Sequence, residues 1–333
     1  MDWSKGYRAT YYMAIVDPST WRDIETIRIT GGSVKRELSG LRDSADIDCM
    51  GFVGEHWVRV YMDTKQDGAS AHEALFTGLA TTPKASVKGT YAEVAVECYS
   101  VLKPCEDILL ERGWYVAAGR SGGEIIRELL SVTPAPVEIA DNAPALMEYI
   151  IAEDGETNLS MIDRILQSIN WRIRITGDGT IQVVPKPIVT SIAFNPISFD
   201  VVEPEIDIER DWFSAPNVFM AVSDDLTAIV KDETGGPLSI SGRGREIWKA
   251  DTGADLSSGE SIGEYALRML RESQTVVRTA SYARRYIPDL IPGDLVDMQI
   301  ADVGMIGAYR IESQTVELGH GARTSEIAAE VVG

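Results

Sequence analysis

Short runs of alternating apolar and polar residues fill roughly the first 100 positions of the chain. Ile24, Ile27 and Ile29 follow a Pro-containing turn, and a second run extends from Trp57 to Met62. Two further runs, ALFTGLATTPKAS and TYAEVAVECYSV, predict a pair of strands. Because turn residues separate the runs at regular spacing, the pattern predicts a barrel or a sandwich.

Helical spacing replaces this alternation near Lys103. GGEIIRELL carries apolar residues on one side of a helix, and a second helix is predicted to have Asn158 or Ser160 as its N-cap. Its apolar stripe consists of Leu159, Ile162, Ile165, Leu166 and Ile169. The turn Gly177-Asp178-Gly179 then lies between two alternating runs, which predicts a hairpin. We therefore expect a small α+β domain in residues 104–196.

Strand alternation returns from about residue 197 and continues through PGDLVDMQIAD and AYRIESQTVEL. One helix interrupts it, because Ser261 is followed three residues later by Glu264, the pattern of a capping box. The predicted fold class is α+β and mainly β. We expect a first β-barrel in residues 1–103 and a second in residues 197–333 that contains one inserted helix.

Two distant segments resemble each other, which indicates a possible internal repeat. Leu75–Tyr99 aligns with Ala308–Val332 without a gap, and Glu93-Val94-Ala95-Val96-Glu97 then lies opposite Glu326-Ile327-Ala328-Ala329-Glu330. Identities are few, and two unrelated hairpins could match this well by chance. If the repeat is real, the chain carries two similar barrels with the α+β domain between them.

Composition narrows the possible functions. The 333 residues are 44% apolar, enough for two or three packed domains, and no run of about 18 apolar residues is present to span a bilayer. The start of the chain lacks the pattern of a secretory signal. The net charge of −20 argues against gripping nucleic acid or anionic lipid, since both need clustered lysine and arginine. Cys49, Cys98 and Cys105 give no disulfide framework.

The sequence contains few of the motifs that bind metals or carry out catalysis. His56, His72 and His320 lie far apart, and neither HExxH nor CxxC occurs, so we expect no metal, no cofactor and no catalytic residue. Glu205, Asp207 and Glu209 alternate along a predicted strand and share one face. A glycosidase needs two carboxylates in different environments, so we interpret this acidic row as a solvated face.

Basic residues cluster locally on this acidic chain. The clusters are Lys35-Arg36, the alternating Arg172 and Arg174, and Arg284-Arg285. One interpretation is that they pair with acidic faces of a neighbouring subunit, since complementary charge fixes register and partner choice. The other is that they are isolated surface charges, each pair contributing about 0–1 kcal/mol.

The order of these features resembles the hub proteins of phage tails and of related contractile particles. The resemblance rests on GGSVKREL with SADIDC, FTGLATTPKASVKGTYAEVAVECYSVLKPC, GGEIIRELL and NLSMIDRILQSINWRIRITGDGTIQVVPKP. SAPNVFMAVSDD and PGDLVDMQIADVGMIGAYRIESQTVEL complete an arrangement that covers nearly the whole chain. No single motif is diagnostic, because the resemblance lies in the order of the motifs.

Members of that family contain two barrels similar to the tail-tube fold, with small domains inserted, and form trimers. The resemblance implies a homotrimeric ring of pseudo-sixfold symmetry that docks on the tail tube and surrounds a channel. Tail-tube or distal tail proteins and tip or spike proteins are the implied partners. DNA or the tape-measure protein would pass through without specific binding. Glu205, Asp207 and Glu209 are then candidates for an acidic channel-facing row.

The implied location is the tail tip of the virion, after assembly in the cytoplasm of the host bacterium. We expect no membrane insertion. Some tip proteins of this kind carry an additional peptidoglycan-cleaving domain. The chain ends at Gly333, directly after the last predicted strand, so we expect no such domain.

Two other classes of function stay open. A monomeric carbohydrate- or ligand-binding β protein would line a groove with exposed aromatic residues, for which Trp212, Phe213 and Trp248 are candidates. A cell-wall hydrolase would need at least one buried acid with a raised pKa in a cleft. The trimeric hub predicts self-association through large interfaces and no catalytic turnover.

Overall fold

The fold is seen in a computed structural model. It describes residues 1–3, 5–51, 54–88, 91–186, 194–197, 202–209, 213–223, 226–254, 256, 260–275, 278–288, 290–319 and 321–331. No helix in these ranges is long and apolar enough to cross a membrane.

The first strands close into a continuous antiparallel ring. They are β1 (Arg8–Asp17), β2 (Arg22–Glu37), β3 (Ser44–Cys49), β4 (His56–Gln66), β5 (Ala69–Lys88) and β6 (Tyr91–Ser100). Pairing runs in the order β1-β4-β5-β6-β3-β2 and returns to β1. Alternate side chains such as Val58, Val60 and Met62 fill the interior. Ile24 differs in parity from the buried Ile27 and Ile29, so it is exposed rather than part of this core.

An α+β unit follows. It contains α1 (Lys103–Asp107), β7 (Tyr115–Val116), α2 (Gly122–Leu130), β8 (Val137–Ile139), β9 (Ile150–Ile151), α3 (Asn158–Ser168), β10 (Trp171–Ile175) and β11 (Ile181–Pro185). Helices α2 and α3 share one core with the sheet β10-β11-β8. The N-cap of α3 is Thr157, one residue before the predicted Asn158, because its hydroxyl accepts the N–H of Ser160 at 3.1 Å.

The last third of the chain begins with two strands and an insertion. These elements are β12 (Phe194–Ile197), β13 (Val202–Glu209), β14 (Val218–Ser223), β15 (Leu226–Lys231), α4 (Ile240–Arg243), β16 (Trp248–Asp251) and α5 (Ile262–Thr275). The sheet β15-β14-β16 packs against α5, whose predicted capping box is present, with Ser261 N donating to Glu264 at 2.9 Å. The insertion is therefore larger than the single helix expected from the sequence.

The remaining strands complete one large sheet. They are β17 (Thr279–Arg285), β18 (Leu295–Ile300), β19 (Met305–Glu317) and β20 (Arg323–Glu330), with a 3₁₀ turn at Ala301–Val303. Pairing runs in the order β12-β18-β19-β20-β17-β13, and β19 also pairs with β2 of the first ring. The fold is mainly β, as the sequence predicted.

The same relative order of strands occurs in both halves. In the described residues, each half has six strands. If the strands of each half are numbered one to six along the chain, both halves pair in the order one, four, five, six, three, two. The sequence alignment of the two hairpins needs a gap, however. Thr81 pairs with Glu97, but Gln314, the counterpart of Thr81, pairs with Glu326, four residues before the aligned Glu330. The halves also differ at one edge, because β12 is parallel to β18 whereas β1 is antiparallel to β4.

Candidate interaction surfaces

The predicted acidic row lies on one strand and is exposed. Glu205, Asp207 and Glu209 occupy alternate positions of β13, while Ile206 between them packs against the second core. In the described residues β13 is the last strand of the sheet, and its recorded partner is β17. Three carboxylates thus line one face of a sheet edge, where they can repel anions or meet a basic partner.

A buried polar network joins the two halves of the sheet. Arg284 donates two hydrogen bonds to Glu326, from Nε at 2.8 Å and from Nη2 at 2.5 Å, and both side chains are fully buried. Gln314 donates to Glu326 at 2.8 Å and accepts from Arg36 of β2 at 2.9 Å. Burial lowers the pKa of Arg284, but Glu326 more than offsets this, so the pKa stays above its usual value.

This network corrects part of the interpretation of the basic clusters. Arg284 and Arg36 are buried and bonded within their own chain, so neither can pair with a neighbouring subunit. Lys35 is exposed and forms an ion pair with Asp46 at 2.9 Å. Sequence alone did not reveal the role of Arg284, because its partner lies 42 residues away on a different strand.

The β10–β11 turn packs against the ring formed by β1 to β6. The carbonyl of Asp178 accepts hydrogen bonds from Trp21 Nε1 and Arg59 Nη2, both at 3.0 Å. The carbonyl of Gly177 accepts from Thr77 at 2.8 Å. A Cβ on Gly177 would lie 1.7 Å from the carbonyl oxygen of Ala74, so only glycine fits here. The predicted turn therefore also fixes the α+β unit on the ring.

An exposed apolar patch covers another side of the α+β unit. Tyr115 pairs with Ile151 across the β7–β9 ladder, and the same antiparallel alignment continues to the bridge between Leu109 and Thr157. The patch consists of residues that are 51% to 68% exposed: Leu109, Tyr115, Met147, Tyr149 and Ile151. Clustered exposed apolar residues commonly mark a contact with another protein.

A second apolar surface lies on the insertion. Helix α5 covers the face of the sheet that carries Phe219 and Ala221, so Val218 and Met220 point to the opposite face. Cross-strand partners place Ile229 and Ala250 beside Met220, and Trp248 beside Val218. Val218 itself is fully buried, so the open sheet face consists of Met220, Ile229, Trp248 and Ala250. Its outer members Ile229 and Trp248 are 49% and 50% exposed.

The candidate aromatic and histidine residues are scattered. Phe213 is exposed with Arg245 stacked over its ring at 4.8 Å, whereas Trp212 lies outside the described residues. His72 lies 2.7 Å from Asp63 and stacks on Tyr61. His56 begins β4, and His320 also lies outside the described residues. Within the described ranges, no group of three or more His, Cys, Asp or Glu residues could hold a metal ion.

One buried acid meets part of the condition set for a hydrolase. Burial raises the pKa of Asp43 to about 7. Its carboxylate accepts the backbone N–H of Glu37 at 3.1 Å across the β2–β3 turn. That bond gives Asp43 a structural role in shaping the turn.

Comparison with known proteins identifies the fold. No family model and no curated protein matches the sequence. The tail protein from Neisseria meningitidis MC58 is 17% identical with a TM-score of 0.73, covering 98% of this chain and 97% of that one. The 43 kDa tail protein of prophage MuSo2 from Shewanella oneidensis is 13% identical with a TM-score of 0.70, covering 96% and 97%. The chain has the fold of a phage tail protein.

A third tail protein supports the same assignment. Prophage tail protein gp18 from Listeria monocytogenes EGD-e is 10% identical with a TM-score of 0.59, covering 96% of this chain and 94% of that one. The resemblance to tail proteins drawn from the sequence is thereby confirmed at the level of the fold. Sequence identities this low support a shared fold but not shared interfaces. The interfaces of this chain must therefore be inferred from its own surface residues.

Proposed function

We propose that the protein is a structural hub subunit of a phage tail tip or baseplate, three copies of which form a ring around a channel. The observation that carries the proposal is the strand order that occurs twice in one chain. Two tube-like barrels per chain, in residues 1–103 and 197–333, give six barrels in a trimer. A threefold ring can then dock on a sixfold tail tube.

The two exposed apolar surfaces support self-association. A threefold ring is built from contacts between two different surfaces of the same chain, repeated around the axis. The apolar patch and the open sheet face lie on two separate insertions, so each can meet a surface of a neighbouring copy. The subunit therefore has apolar contact area available outside its cores.

The proposed channel is lined in part by the acidic row. A wall of carboxylates repels phosphate, so DNA would pass without binding, whereas clustered lysine and arginine would hold it. The tape-measure protein, tail-tube or distal tail proteins, and a tip or spike protein are the remaining proposed partners. We propose no catalytic activity, and a location in the tail tip after assembly in the host cytoplasm.

Light scattering at several protein concentrations and salt concentrations tests the ring. The proposal expects a mass near three times 36.4 kDa. A protein that is monomeric, and that also forms no ring when it is mixed with tail-tube protein, would contradict the proposal. Exposed Trp248 and Phe213 favour the alternative, a carbohydrate-binding β protein, because aromatic faces bind sugars. Retention on a cell-wall glycan column that is lost in Trp248→Ala would support that alternative.

A further inference from the structure

Two arginines share the polar face of β10. Trp171 and Ile173 point into the core of the α+β unit, so Arg172 and Arg174, at the alternate positions, point the other way. This face of the strand lies against the two halves of the large sheet. A Cβ on Gly40 would lie 2.7 Å from the carbonyl oxygen of Ile173, and one on Gly293 would lie 1.7 Å from Arg172 Nη1.

Both guanidinium groups have a buried donor without a partner. The Nε atoms of Arg172 and Arg174 are shielded from solvent and form no hydrogen bond within the structure. Buried donors are nearly always paired, and a buried unpaired charged group is more costly still. Two such donors, two residues apart on one strand, therefore need an explanation.

The neighbouring charges do not resolve this. Arg174 and Arg310 both lie close enough to Arg172 to repel it, while Asp294 attracts it. Burial and the two arginines together hold the pKa of Arg172 below its usual value. Asp294 accepts the N–H of Ile291 at 3.0 Å, and Glu312 pairs with Arg310 at 2.8 Å. Among the described groups named here, three arginines thus face two carboxylates, each of which also binds another group, so positive charge remains in excess.

We propose that the arginine cluster, formed by Arg172, Arg174 and Arg310, is a binding site for one oxyanion. Guanidinium groups are planar forks of donors that match carboxylate and phosphate oxygens, so one bound oxyanion would satisfy both orphaned Nε atoms. It would also offset the repulsion among the three arginines. The oxyanion is either a free anion or a carboxylate side chain of an adjoining subunit, and the second source rests on the proposed ring.

Thermal unfolding in phosphate tests the site. Wild-type protein is titrated with inorganic phosphate, against sodium chloride at equal ionic strength. We expect a saturable rise in Tm of about 2–4 °C in phosphate, and none that saturates in chloride. Arg172→Gln and Arg174→Gln should lose the rise. Arg112→Gln, which removes an arginine with a 90% exposed side chain, should keep it. An equal response in chloride, or a phosphate response that survives in both Gln variants, overturns the site.

The direction in which Arg174→Gln changes the Tm in the absence of an oxyanion is a second test. In oxyanion-free buffer, Arg174→Gln should unfold at the same temperature as wild type or higher, because it removes an unpaired charge. A clear drop in Tm with an unchanged light-scattering mass would mean that Arg174 is already paired within the chain, which contradicts the proposal.

The mass of the variants then identifies the source. Loss of the phosphate response with an unchanged light-scattering mass identifies a free anion. Loss of association in Arg172→Gln and Arg174→Gln, but not in Arg112→Gln, identifies a carboxylate of an adjoining subunit. A monomeric wild type would leave the phosphate titration decisive for the site, whatever the outcome of mixing with tail-tube protein.

Discussion

Arg284 and Glu326 form a fully buried ion pair in the second half of the sheet, which Gln314 links to Arg36 of the first half. Taking two charges out of water is unfavourable, so such a pair contributes little unless every donor and acceptor is satisfied. Here Gln314 and the carbonyl of Arg285 complete the hydrogen bonding. Even a fully bonded buried pair often adds no net stability over packed apolar side chains, so this pair mainly specifies how β17, β19 and β20 align.

Breaking this pair should be strongly destabilising. Glu326→Gln leaves Arg284 buried without a counter-charge, so we expect the free energy of unfolding to fall by about 3–5 kcal/mol in urea denaturation. The matched control is Arg285→Gln, an exposed neighbour, which should change it by about 0.5 kcal/mol or less. Equal effects of the two variants would show that burial of the pair is not what matters.

Asp43 makes stability depend on pH. Burial raises its pKa in the folded protein to about 7, above the ordinary value of 3.8. The folded state therefore binds a proton more tightly than the unfolded state, and the contribution of Asp43 is lost as pH rises from about 4 to about 7. Asp43→Asn keeps an acceptor for Glu37 N–H but cannot ionise. In urea denaturation its stability relative to wild type should rise from about pH 4 to about pH 7 and stay constant above that. A pH-independent difference would contradict this.

The elements with local signals were predictable from the sequence. Helices α2, α3 and α5 follow apolar spacing along the chain, and the Gly177-Asp178-Gly179 turn follows its own residues. The partners of strands were not predictable, because pairing is decided by residues far apart in sequence. Thus strand alternation was expected in this part of the chain, but not the separation of β14 and β15 from the large sheet or the parallel pairing of β14 with β16.

The candidate surfaces were predictable to the same extent. Strand alternation correctly placed Glu205, Asp207 and Glu209 on one exposed face. Alternation could not show that Arg284 is buried, because it shares the core face of Ala280 and Tyr282 only by virtue of Glu326, a counter-charge on another strand. The apolar patch was missed because Tyr115, Met147 and Tyr149 lie in short segments without a clear period. Because Tyr115 lies far before Met147 in the sequence, no short window shows these side chains together.

At the level of elements, Gly177 should be essential to docking of the β10–β11 hairpin. Gly177→Ala forces a Cβ to within 1.7 Å of the Ala74 carbonyl, so the hairpin must move away from the ring. We expect a loss of about 1–3 kcal/mol in the free energy of unfolding. The control is Gly263→Ala in α5, where nothing lies within 4 Å, and alanine should raise helix stability slightly. A neutral Gly177→Ala would mean that the hairpin is not held tightly.

At the scale of the whole molecule, the two halves are one continuous sheet joined by the β2–β19 pairing and the buried network. The chain is strongly acidic, with a net charge of −20, so copies of it repel one another in solution. Association must therefore come from apolar contact or local complementary charge. Raising salt should strengthen a ring built on apolar surfaces, because it screens this repulsion.

Charged residues placed on the apolar surfaces should prevent ring formation. Tyr149→Asp, in the apolar patch, and Trp248→Asp, on the open sheet face, each bury a charge if that surface is an interface. We expect either variant to lower the light-scattering mass toward one chain with little change in Tm, since both residues are exposed. Ile24→Asp, an equally exposed apolar residue outside both surfaces, is the control. If both variants still form a trimer, the contact between subunits lies on another surface.

The acidic row makes a prediction that applies only to the assembled ring. If Glu205, Asp207 and Glu209 face the channel, replacing all three by lysine surrounds the pore with positive charge from three copies. We expect the variant ring to retain linear DNA in a filter-binding assay, with affinity falling steeply as salt rises. The control replaces three exposed acids of the α+β unit, Glu111, Glu153 and Asp154, by lysine, which changes net charge equally. Equal DNA retention by both variants would show that net charge, rather than a channel position of the row, is responsible. Retention by the first alone would place the row where a passing strand meets it.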